Sequence, residues 1–547
     1  MAFSVFRSSI TPNSDVFKRN LAANQKVMAT FEKNLETISS QGRQKDIDKA
    51  RDRGEMLTSE RISALLDEDS PFLELFPFGG FGKKSTPKTG TVGIGLVGGV
   101  ITMILADVPT IRGAAKNEAS AVAAIRALEM SIENKLPIIN LIQTAGADLT
   151  QQDKVFHTGG NTFRLLAIRA ERKLPTISIV FGSSTAGGAY QPGMSDYIIM
   201  VRNQAKVYLG GPPLVKMATG EVVGHEELGG ALMHSTVSGV SDYLAENEMH
   251  GLQMAQELIA ACCAPSHPAQ VGAMLAAAST EAPEEPKYPI SDLLGILSPS
   301  VKDPFDMTEV IARIVDGSRI HFFKSEYGKT LVCCWATIHG YKVGIIANNG
   351  VLFADSAQKG AQFIHRCNCM NVPILFFHNI TGFMVGKASE QSGIIKYGAL
   401  MVDAVSNSKV PAISIIMGAS FGAGNYAMCG RAYKPRFLFS YPMAKCSVMG
   451  AEQLSGVMDQ LFKDRMAGLG DLMSAEEKKE IEGQAEQRKE KSRQLVERQM
   501  DAYYTSGLLL DDGIIDPRDT RYVLTVCLSI LYQQPIEGAN VIGVSRF

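Results

Sequence analysis

The chain has 547 residues, enough for two or more domains that each bury a full core. Its 54 Lys and Arg against 56 Asp and Glu leave a formal net charge of −2, which excludes a nucleic-acid binder held by bulk electrostatics. No apolar run reaches the ~18 residues of a membrane span, and the opening stretch lacks an apolar leader core and carries Asp15. The nine cysteines form no C-x-x-C and no H-E-x-x-H is present, so no metal site is expected and the thiols read as reduced ones of a cytoplasmic protein.

In chain order, residues 14–67 have apolar positions at three and four spacing among many charges and are predicted helical. "GGFGKKS" (79–85) resembles a phosphate loop, but Pro77 stands where the first glycine belongs; Lys83, Lys84 and Lys88 are weak candidates for phosphate contact. Gly93-Ile-Gly95-Leu-Val-Gly98 fits G-x-G-x-x-G, yet it runs into the strand-like "VITMILADV" rather than a helix, so a dinucleotide site is rejected. "STEAPEEPKYP" (279–289) reads as a linker, and 475–503 as a charged helix with a solvated face.

An internal repeat organises the rest. "LPTISIVFGSSTAGGAY" (174–190) echoes "VPAISIIMGASFGAGNY" (410–426) at a constant offset of 236, and "KLPIINLIQTAG" (135–146) echoes "NVPILFFHNITG" (371–382) at the same offset. Upstream, "GGVITMILAD" (98–107) echoes "HGYKVGIIAN" (339–348) at 241, so the first copy carries about five extra residues near "RGAAKNE" (112–118). Two copies of one α/β unit are predicted, each with strands that begin after Pro and end in glycine turns. Turns at strand ends are where such proteins place ligands.

Gly418-Ala-Ser420-Phe-Gly422 fits the G-x-S-x-G elbow of serine hydrolases. No histidine follows Ser420, the last being His378, and the first copy breaks the motif at Ala186. Ser420 therefore reads as a turn residue, with an upstream histidine left open. No Ser/His/Asp, Cys/His or metal set emerges from spacing. The chemistry is assigned to backbone N–H groups, which a glycine pair at a helix start leaves outward with the helix dipole behind them. Such donors hold an oxyanion without a titrating side chain. A single Gly-Gly more often serves packing; its recurrence in both copies favours function.

The chain resembles the carboxyltransferase (beta) subunits of biotin-dependent acyl-CoA carboxylases, most of all the 3-methylcrotonyl-CoA and geranyl-CoA branch. The resemblance rests on "RGEMLTSERISALLDEDSPFLEL" (53–75), "STAGGAYQPGMSD" (184–196), "YLGGPPLVKMATGEVV" (208–223), "IIANNGVLFADSAQKGAQFI" (345–364), "NITGFMVG" (379–386), "GASFGAGNYAMCGRAYKPRFLF" (418–439) and "DDGIIDPRDTR" (511–521). It implies an α/β fold of two tandem crotonase-like domains, 1–290 on the acyl-CoA side and 291–547 on the biotin side. It also implies a reaction in which carboxybiotin, carried on a partner biotin carboxylase and carrier subunit, releases CO2. The ureido nitrogen takes a proton from the acyl-CoA, and the enolate attacks CO2. By analogy the N–H groups of Gly187 and Gly188 hold the thioester oxygen, and those of Ala423 and Gly424 the ureido oxygen. Ala145, Gly146 and Ala186 would line the acyl-CoA, and Gly382, Phe383 and Gly422 the biotin. A six-copy ring with the site shared between subunits is implied, with no metal, nucleic acid or membrane.

The sequence departs from that family in its first copy. Relatives carry "GGTYYP" followed by two bases where this chain has "RGAAKNEASAVAA" (112–124), and "DSGGAYL" where it has "QTAGADL" (143–149). A 3-methylcrotonyl-CoA-like substrate, or one with an altered, longer acyl chain, is the expectation. The alternatives are a decarboxylase alpha subunit running the reverse transfer, a scaffold that has lost turnover, and the serine hydrolase.

Overall fold

The structure, a computed structural model, describes residues 4–82, 87–263, 283–301, 303–468 and 475–539. Two sheets carry the chain. The first holds β1 (Leu73–Leu75), β2 (Gly90–Val97), β3 (Val100–Asp107), β4 (Ile138–Thr144), β5 (Thr176–Thr185), β6 (Tyr197–Val201) and β8 (Tyr243–Ala245) in that order, with β7 (Lys206–Tyr208) beside β5. The second runs β14 (Phe437–Ser440), β13 (Ala412–Phe421), β12 (Ile374–Ile380), β11 (Tyr341–Asn348), β10 (Leu331–Ile338), β9 (His321–Phe322), with β15 (Lys445–Ser447) beside β13.

The repeat read from sequence is a repeat of elements. Strands β4 and β12 start 236 positions apart at Ile138 and Ile374, and β5 and β13 at Thr176 and Ala412. The β2–β3 and β10–β11 hairpins keep the offset of 241. Each hairpin turns through two residues in the left-handed region, Gly98 and Gly99 (φ 55° and 76°) or His339 and Gly340 (φ 49° and 79°), the turn whose twist matches its strands. From β3 and β11 onward the pairing is parallel, which demands cover on both faces and explains why these strands are almost wholly buried. Helices Glu118–Glu133 and Gln152–Glu171 supply cover in the first copy, and Ala354–Met370 and Ile394–Asn407 in the second. Both copies also break register at the same place, between Ile142 and Thr144 and between His378 and Ile380. A bulge there re-aims the strand ends that lead into the glycine turns.

The predicted helix over 14–67 is three helices, Asp15–Ser39, Gln44–Asp52 and Thr58–Leu65. Gly42 (φ 106°) breaks the first junction, where a Cβ would lie 2.5 Å from the Thr110 carbonyl, and Gly54 (φ 71°) breaks the second. Apolar spacing does not register such breaks. The first helix lies on the second half: Asn24 Nδ2 donates to the Leu294 and Leu297 carbonyls, both at 2.8 Å. The charged helix ends at Gln499, and Asp501 caps a new helix, Ala502–Gly507. Of the predicted linker, residues 279–282 lie outside the described residues, and 283–289 has no helix or strand.

Lys83 and Lys84 also lie outside the described residues. Lys88 is buried, burial pushes its amine pKa down, and Glu74 stands 3.5 Å away. A phosphate has no access to it, so that candidacy falls. The two halves share one core, in which Leu75 and Phe76 pack with Phe437, Phe439 and Leu524. Each such buried side chain contributes about 1.5–3 kcal/mol. Buried Arg126 ties them further, donating to the Pro435 carbonyl at 2.9 Å and pairing with Asp512 at 3.3 Å.

Candidate functional site

Strand β5 leads into the 3-10 turn Ala186–Ala189, and β13 leads through Gly422, the N-cap, into the helix Ala423–Ala427. The first turn of a helical segment leaves its leading N–H groups without an acceptor inside it. Gly187 is the second residue of one such turn and Ala423, 236 positions on, the first of the corresponding helix; both are exposed. The two turns differ in pitch, since the first is the tighter 3-10 form.

The glycines are required by space and by backbone. A Cβ on Gly188 would lie 2.9 Å from Thr144 Cγ2, and one on Gly424 2.6 Å from Ile380 Cγ1. Gly422 has φ 57° and ψ −147°. Ala186, its counterpart, takes φ 52° with a side chain present, a strain of about 1–2 kcal/mol held in place by the strand before it.

The sequence-predicted residues gather into two clusters. Around the first turn, Gly146 (φ 94°) packs against the Thr185 carbonyl, where a Cβ would sit at 3.1 Å and would also touch Ala186. Around the second, Gly382 (φ 130°) abuts Gly424, whose Cβ would lie 3.4 Å from Gly382 Cα. Phe383 turns its ring toward Gly398. The Ala145 N–H is already bonded to the Gly113 carbonyl at 2.9 Å and the Gly146 N–H to Thr144 Oγ1 at 3.1 Å. These two residues therefore shape the wall and do not supply donors.

The two departures in the first copy form one unit. Lys116 N–H donates to the Gly146 carbonyl at 2.8 Å, Asp148 N–H to the Lys116 carbonyl at 2.9 Å, and Thr144 Oγ1 to the Ala114 carbonyl at 2.8 Å. The second copy repeats the first two bonds with Leu352 N–H to Gly382 and Met384 N–H to Leu352 at 3.1 and 2.9 Å. The five-residue insertion thus falls between Asp107 and Lys116, and Ala147 is the counterpart of Phe383.

Polar side chains fix this wall. Lys116 forms an ion pair with buried Asp107, which also accepts from Gln143 N–H at 3.0 Å. Gln143 Oε1 accepts from Arg61 at 2.8 Å, while Arg61 pairs bidentately with Glu248 and lies 4.2 Å over the Phe181 ring. Beside the wall, a cavity of about 180 Å³ is lined by Arg43, Lys49, Arg53 and Arg112, with Asp46 paired to Arg43, and by Gly113. Lys116, Gln143 and Arg61 were not singled out from sequence, because their roles depend on contacts across three elements.

The serine-hydrolase alternative meets a specific geometry. Ser420 Oγ does lie 3.0 Å from His378 Nδ1. Both residues are fully buried, Ser420 lies inside β13 rather than on an elbow, and no carboxylate touches the imidazole among the described residues. Burial pushes His378 down to about 3. A nucleophile that substrate cannot reach is excluded. Among the described residues no group of three or more His, Cys, Asp or Glu could hold a metal, and no helix is long and apolar enough to cross a membrane.

Comparison with known proteins gives one consistent answer. The carboxyl transferase domain model matches residues 49–540. A probable biotin-dependent acyl-coenzyme A carboxylase beta2 subunit of Mycobacterium tuberculosis is 43% identical over 99% of this chain and 100% of its own length. The mitochondrial methylcrotonoyl-CoA carboxylase beta chain of Dictyostelium discoideum is 43% identical over 100% of this chain and 91% of its own. The crystal structure of the geranyl-CoA carboxylase beta subunit of P. aeruginosa superposes with a TM-score of 0.87 at 36% identity, covering 100% of both chains.

Proposed function

Because this chain belongs to the carboxyl transferase family, we propose that its two glycine turns divide one reaction between them. It is the carboxyltransferase subunit of a biotin-dependent acyl-CoA carboxylase, and it works with a biotin-carrying alpha subunit. In our reading residues 1–290 form the acyl-CoA side and 291–547 the biotin side. Gly187 and Gly188 N–H groups hold the thioester oxygen as it gains charge, against the wall of Ala145, Gly146 and Ala186. Ala423 and Gly424 N–H groups hold the ureido oxygen, beside Gly382, Phe383 and Gly422. Biotin supplies the carboxyl group and the ureido nitrogen that accepts the substrate proton. The chain itself contributes preorganised donors, which are worth most where charge develops.

The observation that carries this reading is the pair of strand-end turns on one offset, each built so tightly that a Cβ on its inner glycine would collide. The acyl side is further supported by the basic cavity next to Gly113, which suits the phosphates of coenzyme A. Its wall of small residues, Ala115, Ala145 and Ala147, suits an acyl chain bulkier than methylcrotonyl.

We take the assembly to be a six-copy ring in which a second copy completes each site. Leu149, Phe156 and Met217 of the first copy are 81%, 74% and 77% exposed, and Val385 and Ile395 of the second 79% and 75%. Exposed apolar side chains suit a face held against another subunit. The reduced thiols fit a cytoplasmic protein.

The test supplies the chain with its biotin carboxylase and carrier partner, ATP and labelled bicarbonate, and screens acyl-CoAs of increasing chain length. Label transfer to a branched or long-chain acyl-CoA is expected. No transfer to any acyl-CoA, with the partner shown to carboxylate its own biotin, refutes the reading and leaves a scaffold.

A further inference from the structure

The buried His378–Ser420 pair has no part in the chemistry so far described. Its counterpart in the first copy shows what the position does. Ser184, 236 residues before Ser420, donates from Oγ to the Gly188 carbonyl at 2.9 Å and so pins the first glycine turn directly to the end of β5. Ser420 makes no such bond. It accepts from Asn425 Nδ2 at 2.8 Å, and Asn425 is the residue that follows Gly424. In the first copy this position is Ala189 and the His378 position is Ile142, so neither partner exists there.

The donor directions follow from valence. Asn425 Nδ2 can only donate, so Ser420 Oγ accepts there and has one proton left to give. His378 Nδ1, at 3.0 Å, receives it in the imidazole tautomer that carries its proton on Nε2. The pair is fully buried, and burial pushes the imidazole pKa down, which favours the neutral ring that this contact needs. Space is reserved for it: a Cβ on Gly430 would fall 1.9 Å from Asn425 Oδ1. Gly430 N–H also donates to the Asn425 carbonyl at 2.9 Å, and Asn425 N–H to Gly422 at 3.1 Å, so the residue is held from both ends.

We propose that His378, Ser420 and Asn425 form a positioning relay that fixes the first turn of the Ala423–Ala427 helix and thereby aims the Ala423 and Gly424 N–H groups. His378 is a positioning residue, since it acts only through Ser420 and Asn425. The inference rests on the assignment of that turn to the biotin side. It adds that the two oxyanion sites are braced by different devices and can be damaged separately.

The test uses the full chain with its biotin-carrying partner and reads kcat, the KM for the carboxylated carrier and the KM for acyl-CoA. His378→Leu and Ser420→Ala remove the acceptor or the hydroxyl. His378→Asn keeps an acceptor close to the Nδ1 position. Small misplacements of catalytic groups cost up to about 100-fold. The expected result is a loss of about tenfold or more in kcat over carrier KM for both deletions, with acyl-CoA KM within about twofold of the parent and most of the loss recovered by His378→Asn. The proposal is overturned if both deletions stay within about twofold, if acyl-CoA KM shifts alongside, or if His378→Asn is as impaired as His378→Leu. Should His378→Leu fail to fold, Ser420→Ala carries the same reading with a smaller change. Ala423→Pro separates the two ideas. If it keeps turnover, the donor assignment falls and the relay with it. If it loses turnover while the deletions do not, only the relay falls.

Discussion

Replacing Ala423 by proline removes one N–H group from the turn proposed for the biotin side while asking little of the fold. Ala423 is the first residue of its helix, where proline is favoured because that N–H has no acceptor within the helix. The residue before a proline must avoid the helical region, and Gly422 already has ψ −147°. The Ala423 side chain is exposed, so the ring displaces no core atom. The expected change in stability is therefore below about 1 kcal/mol. Losing one oxyanion donor lowers kcat by about 10²–10³, or about 2.7–4 kcal/mol. The assay is label transfer from carboxylated carrier to acyl-CoA, run beside thermal unfolding and a titration of acyl-CoA binding. Acyl-CoA affinity should be unchanged, because the variant lies in the other cluster. A folded Ala423→Pro protein that keeps more than about a third of parental turnover would refute the assignment of this N–H.

Gly424→Ala should lose turnover and about 1–3 kcal/mol of stability, because its methyl lands 2.6 Å from Ile380 Cγ1; an unchanged melting temperature contradicts the packing argument. Ala186→Gly should raise the melting temperature, since relief of the φ 52° strain outweighs the added chain entropy by up to about 1 kcal/mol; a lower melting temperature counts against the strain. Asp511 is buried and pushed up to about 6 by burial, from an ordinary 3.8. A carboxyl that binds its proton more tightly when folded stabilises fully below its unfolded pKa, and that stability is lost as pH rises toward 6. Asp511→Asn should thus be more stable than the parent at pH 8 by up to about 3 kcal/mol and about equal near pH 4, by denaturant unfolding. A constant difference across that range would show that the carboxyl is not the cause.

The halves of the fold were legible because a duplication is visible without knowing the structure. A constant offset across Pro175, Gly182, Gly188 and Tyr190 locates four positions of a turn, and β5 and β13 reproduce that offset residue by residue. What was illegible has common physical causes. Gly42 and Gly54 interrupt an apolar rhythm that continues across them, since periodicity reports which face is buried and not φ. Lys88 looks exposed among lysines and is buried, because the chain folds back on itself there. Gln143, Arg61 and Glu248 stand far apart in sequence and meet only in the fold. In sequence His378 stands on the wrong side of Ser420 for a hydrolase, and its contact with that serine gains meaning only once the first copy is laid beside it.

The comparison of copies also explains how a symmetric scaffold can run an asymmetric reaction. The backbone is kept: Lys116 and Leu352 make the same two bonds around Gly146 and Gly382, and Ala186 takes the φ of Gly422. The side chains have diverged around it. The first copy pins its turn with one serine bond and walls it with small residues tied by Lys116, Asp107 and Gln143. The second uses a three-residue relay and a phenylalanine, Phe383, where the first has Ala147. Backbone donors can stabilise any oxyanion of suitable reach, so they alone cannot tell a thioester from a ureido oxygen. Discrimination must then lie in the walls, and the wall proposed for the acyl chain is the one built by residues 112–118 and 143–149. Those two segments are tied through side chains as well, Thr144 Oγ1 to the Ala114 carbonyl and Arg112 to Asp148, so changing one alone loses these contacts. Substrate range in this subunit should therefore transfer only when both segments are exchanged together. A chimera carrying both from a methylcrotonyl-CoA enzyme should shift preference toward the shorter acyl chain, while either single exchange lowers turnover on every substrate. A single-segment exchange that shifts preference cleanly would show that the two segments are independent.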